Sequence, residues 1–108
     1  MDLTAPRSDP GCDVDDVAEI MAALASPSRV AIVRLLAEEE FDVGEIAQRL
    51  GASVATTSHH LGPLRRAGLV TSRRDGTRIL NCVAGPRVLD LCAAACAMAH
   101  PPARSTAR

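Results

Sequence analysis

The chain has 108 residues, 47% of them apolar and 23% charged, with a net charge of −1. That size suits one domain, and that composition excludes wholesale disorder. The near-neutral total hides a split: residues 1–45 hold eleven acids against three arginines, and residues 46–108 nine arginines against two acids, balances of −8 and +7.

Residues 1–13, rich in Pro, Asp, Gly and Ser, read as a flexible arm. They lack the apolar stretch of a secretory signal, and no later run approaches the roughly 20 apolar residues of a membrane span, so a cytoplasmic protein without membrane contact is expected. In that compartment Cys12, Cys82, Cys92 and Cys96 are thiols rather than disulfides. Val17, Ile20, Met21 and Leu24 then fall at i, i+3, i+4 and i+7, the spacing of an amphipathic helix beginning near Val14. Ser26 and Pro27 break it and start a second helix, whose Val30, Ile32, Val33, Leu35 and Leu36 make it the central one. Glu38, Glu39 and Glu40 close that helix.

Asp42 and Glu45 stand at capping-box spacing. A short helix follows with Ile46, Ala47 and Leu50 inward, and Gly51 ends it. Ser53 caps the next helix, which runs to about Ala67 and stops at Gly68. Two helices joined by a tight Gly-containing turn are a helix-turn-helix signature. Pro63 lies inside the second of them, where a missing N–H and a ring clash favour a kink or a re-aimed second half. Leu69-Val70 and Ile79-Leu80 are β-prone around Asp75-Gly76, which reads as a type I′ hairpin turn and makes the unit a winged helix. From Pro86 to about Ala99 a last helix carries Val88, Leu91, Ala95 and Met98 on one stripe. Pro101-Pro102 stops it, and residues 101–108 read as a disordered tail, leaving 14–100 as the folded domain. With one aromatic residue, Phe41, the core must be built from small side chains, and a second copy is expected to cover more apolar surface.

In a winged helix-turn-helix the second helix enters the major groove of DNA. Here Ser53, Val54, Ala55, Thr56, Thr57, Ser58 and His59 open that helix with small or polar side chains, which admit close approach and can bond bases or phosphates. Arg65, Arg66, Arg73, Arg74 and Arg78 are the candidates for phosphates or, from the wing, the minor groove. His59 and His60 point about 100° apart on a helix, so a metal shared between them is not expected; His60 packs and His59 faces solvent. The alternatives are an arginine-rich solvated face on a winged helix that binds protein, and a regulator switched by thiol oxidation.

The segments ASPSRVAIVRLL and EIAQRLGASVATTSHHLGPLRRAGLV, followed by the DG-turn hairpin, resemble the ArsR/SmtB family of bacterial transcription regulators over roughly residues 20–92. The S-x-x-x-x-S-H-H-L pattern from Ser53 to Leu61 is the most telling part. The resemblance implies a mainly α winged helix-turn-helix with a two-stranded wing, dimeric through its first and last helices. It implies a repressor that binds an inverted-repeat DNA operator as a homodimer and is released by a ligand, not an enzyme. A co-regulator protein is a further candidate partner.

Many relatives in that family sense metals, yet Asp42 and Gly44 stand where one class carries thiols. Gly85, Arg87, Met98 and Pro101 stand where another class carries its ligands. The sequence offers its own cluster instead. Cys92, Cys96 and His100 recur every four residues, drifting about 40° per step along one helix face. Donated from two chains, this N/S set suits Zn²⁺, Ni²⁺ or Cu⁺, and Ni²⁺, Zn²⁺ and Co²⁺ are the candidate effectors. Cys12 is a further candidate ligand from the arm. The competing reading is that these cysteines simply pack as small hydrophobes among alanines.

Overall fold

The computed structural model of the chain describes residues 13–100. The expectations for the arm before Asp13, for Cys12 and for the tail at 101–108 lie outside the described residues. The elements run α1 (Val14–Ala23), α2 (Pro27–Leu36), α3 (Val43–Leu50), α4 (Val54–Arg66), β1 (Val70–Asp75), β2 (Arg78–Val83) and α5 (Pro86–Ala99). This is the expected winged helix-turn-helix, with α3 and α4 as the helix pair and the hairpin as the wing.

Each of the first four helices starts where a short polar side chain can satisfy its unpaired amides. Asp13 accepts from the Asp15 N–H at 2.8 Å, Ser26 from Arg29 at 3.3 Å and Ser53 from Thr56 at 3.0 Å. The capping box of α3 is complete: Asp42 accepts from the Glu45 N–H at 2.8 Å while Glu45 accepts from the Asp42 N–H at 3.0 Å. Gly51 then ends α3 with φ +68, the left-handed conformation that costs glycine least. At the far end of α1, the Arg29 Nε donates to the Ala23 carbonyl at 2.6 Å, tying α2 to the last turn of α1.

The core gathers around α2, whose Ile32, Val33 and Leu36 are buried against Ile46 of α3 and Leu61 and Leu64 of α4. Phe41, Leu69 and Val70 close it beneath the hairpin, and Val88 closes it from α5. α4 runs unbroken through Pro63 to Arg66, and the Ala67 N–H donates to the Pro63 carbonyl at 3.0 Å.

One expectation is corrected. The hairpin pairs Asp75 with Arg78, so its two-residue loop is Gly76-Thr77 rather than Asp75-Gly76. Within that loop Gly76 has positive φ, at +67, and Thr77 does not, whereas a type I′ turn needs it at both central residues; glycine at the first position alone fits type II′. In α5, Val88 is buried and Cys92 half-buried against the core, while Met98 at the far end of the expected stripe is 82% exposed in the single chain. Beyond Cys92 the residues of α5 are exposed. Between α1, α2 and α5 lies an apolar groove of about 610 Å³, lined by Met21, Leu24, Val33, Leu89, Cys92 and Cys96 among others.

Candidate nucleic-acid interface

α4 separates two faces by its periodicity. Thr57, Leu61 and Leu64, at i, i+4 and i+7, point inward. Val54, Ala55, Thr56, Ser58 and His59 are exposed in the first two turns, with Ser53 at the cap. Thr57 therefore does not belong to the presented row: it is 1% exposed, and its hydroxyl has no hydrogen-bond partner among the described residues. Ser53 spends its oxygen on the Thr56 amide and donates its own proton to the Thr56 hydroxyl at 2.9 Å. His60 is half-buried with its Nδ1 3.5 Å from an Arg29 nitrogen, while His59 faces solvent and the two rings meet edge-on at 6.1 Å.

The five arginines named from the sequence divide into two groups. Arg65 donates to the Asn81 side chain at 2.6 Å, and buried Asn81 donates in turn to the Phe41 carbonyl at 3.2 Å. Arg73 grips Glu40 through two nitrogens, at 2.6 and 3.0 Å. Arg78 bonds both capping-box carboxylates, Asp42 at 3.2 Å and Glu45 at 2.6 Å. Arg66 and Arg74 are exposed, and neither forms a salt bridge among the described residues.

These contacts lower two of the acids, Glu40 and Asp42. Hydrogen bonds from Arg73 hold the Glu40 carboxyl below its usual value despite partial desolvation. Asp42 is lowered first by the Glu45 amide and then by Arg78. The Arg73 and Arg78 guanidinium groups are raised correspondingly by Glu40 and by Asp42.

Asn81 is the residue that the sequence reading passed over. It interrupts the apolar run of β2 at an inward position, and that interruption is the signal. Its backbone also bridges to Phe41 in both directions, at 2.9 and 3.3 Å, so the wing, the loop before α3 and the reading helix meet at one side chain.

The supposed metal cluster does not form within one chain. Among the described residues, no group of three or more His, Cys, Asp and Glu side chains is placed to hold an ion. The helix ends at Ala99, and His100 caps it at φ −127 and ψ 75, its N–H still donating to the Cys96 carbonyl at 2.9 Å. Burial pushes the Cys92 thiol up more strongly than Arg34 pulls it down. Cys82, Cys92 and Cys96 are free thiols.

Residues 26–72 match the family described as bacterial regulatory protein, arsR family. The chain is 40% identical over 79 residues to an uncharacterised HTH-type transcriptional regulator of Mycobacterium tuberculosis, a match spanning 72% of this chain and 69% of that one. It is 38% identical over 80 residues to a cadmium resistance transcriptional regulatory protein of Listeria innocua, spanning 73% and 67%. In three dimensions it is similar to the homodimeric winged helix-turn-helix DNA-binding domain of a possible ArsR-family regulator from Mycobacterium bovis. That comparison has a TM-score of 0.79 at 36% identity and covers 94% of this chain and 96% of the other.

Proposed function

Because the chain belongs to the ArsR family of bacterial regulatory proteins, we propose that two copies of it bind an inverted-repeat operator, each setting the first turns of α4 into a major groove and its wing on the flanking backbone. The protein is a DNA-binding transcriptional regulator, not an enzyme. No helix among its described residues is long and apolar enough to cross a membrane.

The exposed row Val54, Ala55, Thr56, Ser58 and His59, on a helix whose opposite face is buried, carries this assignment. Small side chains at a helix N-terminus let backbone amides approach phosphate. Hydroxyls and the His59 ring supply polar contacts to base edges, and Val54 and Ala55 supply methyl contacts to thymine. Arg66 and Arg74 carry charge without an internal ion pair among the described residues. The homodimer is supported by the M. bovis relative and by the groove between α1, α2 and α5, whose apolar walls one chain leaves open. In such a dimer the two reading helices lie about 34–36 Å apart, one turn of DNA.

A cadmium resistance regulator stands among the relatives, but among the described residues of one chain no donor set is placed to hold a metal. DNA binding as proposed requires none.

The test is a titration with duplex from the region upstream of the protein's own gene. Six to ten phosphate contacts should lower affinity by about 10³–10⁵ between 50 and 200 mM salt. Binding that is absent or insensitive to salt would replace this reading with a protein-interaction module.

A further inference from the structure

The wing carries Arg73, Arg74 and Arg78, and the cross-strand register shows how that charge is sorted. Directly opposed residues of an antiparallel pair share a face. Arg73 with Leu80, and Asp75 with Arg78, therefore lie on one face; Ser72 with Asn81, and Arg74 with Ile79, lie on the other. The first face is fastened to the acidic corner between α2 and α3, through Glu40 to Arg73 and through Asp42 and Glu45 to Arg78. The second face is joined to the reading helix, because Asn81 is held by Arg65 of α4.

We infer that Glu40, Asp42 and Glu45 are positioning residues for DNA binding: they fasten Arg73 and Arg78 on one face of the wing, so that Arg74 on the other is its phosphate contact. This rests on the DNA-binding reading above and assigns its parts. A guanidinium fork filled by a carboxylate gains little by exchanging it for a phosphate, since one anion replaces another. Arg74 has no carboxylate partner to exchange among the described residues. The three carboxylates oppose a polyanion by simple Coulomb repulsion, so neutralising one should strengthen binding unless it does positional work. The proposal requires the reverse sign.

The experiment measures duplex affinity and its salt slope for the full chain and four variants. Arg74→Ala should weaken binding and reduce the slope by about one phosphate contact. Arg73→Ala should weaken it with the slope unchanged. Glu40→Gln should weaken it about two- to fivefold although it removes negative charge. The exchanged pair Glu40→Arg with Arg73→Glu should return affinity to within about twofold of the parent, which a phosphate-binding Arg73 could not do. Tighter binding by Glu40→Gln, a slope loss in Arg73→Ala, or no rescue by the exchange would overturn the inference.

Amide hydrogen exchange across Val70–Val83 without DNA gives a second readout. Glu40→Gln should speed exchange in the hairpin and the swapped pair should slow it again. Unchanged exchange in Glu40→Gln would sink the inference even if the parent binds no duplex, an outcome that would separately refute the proposed function.

Discussion

Thr57 sits one turn into α4, between residues assigned to the DNA face, and differs from them only in where the helix turns it. Its hydroxyl is buried without a partner among the described residues, and a polar group in that condition costs about 1–3 kcal/mol. Thr57→Val keeps the shape and removes the unmatched oxygen. Thermal unfolding at fixed protein concentration should show a gain of about 1 kcal/mol, near 4–8 °C in a domain of this size. Duplex affinity should not change; a loss of stability would mean that the oxygen has a partner. The polar residues from Ser53 to His59 were visible in the sequence, but a row of short polar side chains does not show which one faces the core. Leu61 and Leu64 do, because they fix the inward direction and Thr57 lies on their stripe.

The capping box of α3 works at the scale of the element. Asp42 and Glu45 close the helix start upon each other and also receive Arg78 from the wing. Asp42 and Glu40 are both held below their ordinary values of 3.8 and 4.5, so the folded chain binds fewer protons at them than the unfolded chain. Their contribution is complete above those ordinary values and is lost as pH falls through the lowered folded ones. Acid unfolding should therefore be shallower for Asp42→Asn, which keeps an oxygen for the Glu45 amide but has no charge to lose. Parallel acid titrations of the two proteins would contradict this. Asn81→Ala tests the neighbouring joint. It removes donors and acceptors shared with Arg65 and Phe41 and should cost about 1–2 kcal/mol in denaturant unfolding. An unchanged midpoint would show the joint to be dispensable. The caps were legible because they are local: Ser26, Asp42 and Ser53 each lie within three residues of the amide they satisfy. The hairpin turn was misread by one residue because Asp75-Gly76 is a strong local signal, whereas pairing Asp75 with Arg78 depends on the whole ladder. The roles of Arg73 and Arg78 were hidden for a related reason, since Glu40 lies 33 residues from Arg73 and Asp42 lies 36 from Arg78.

Over the whole molecule, apolar surface is left uncovered where the family fold would place a second copy. Val14, Val17 and Met21 on α1 and Met98 on α5 account for four of the six large hydrophobic residues exposed among the described ones. Val54 and Ile79, the other two, lie on the reading helix and on the Arg74 face of the wing. A core with one aromatic ring buries little area per side chain, so a stable interface of roughly 1,200–2,000 Å² would add what a single chain lacks. Met21 is 53% exposed and lines the groove, and Met98 is 82% exposed, so neither is needed to hold one chain together. Replacing both with Glu should leave the far-UV circular dichroism of the folded chain intact. It should move the species seen by sedimentation equilibrium from dimer to monomer, because charge would be buried without a partner at the seam. A monomer places only one reading helix on an operator, so duplex affinity should fall together with dimerisation, by the loss of one linked half-site. A dimer that survives both charges would show that α1 and α5 meet no second copy. A monomer that binds the operator as tightly as the parent would show that the paired helices are not how this chain reads DNA.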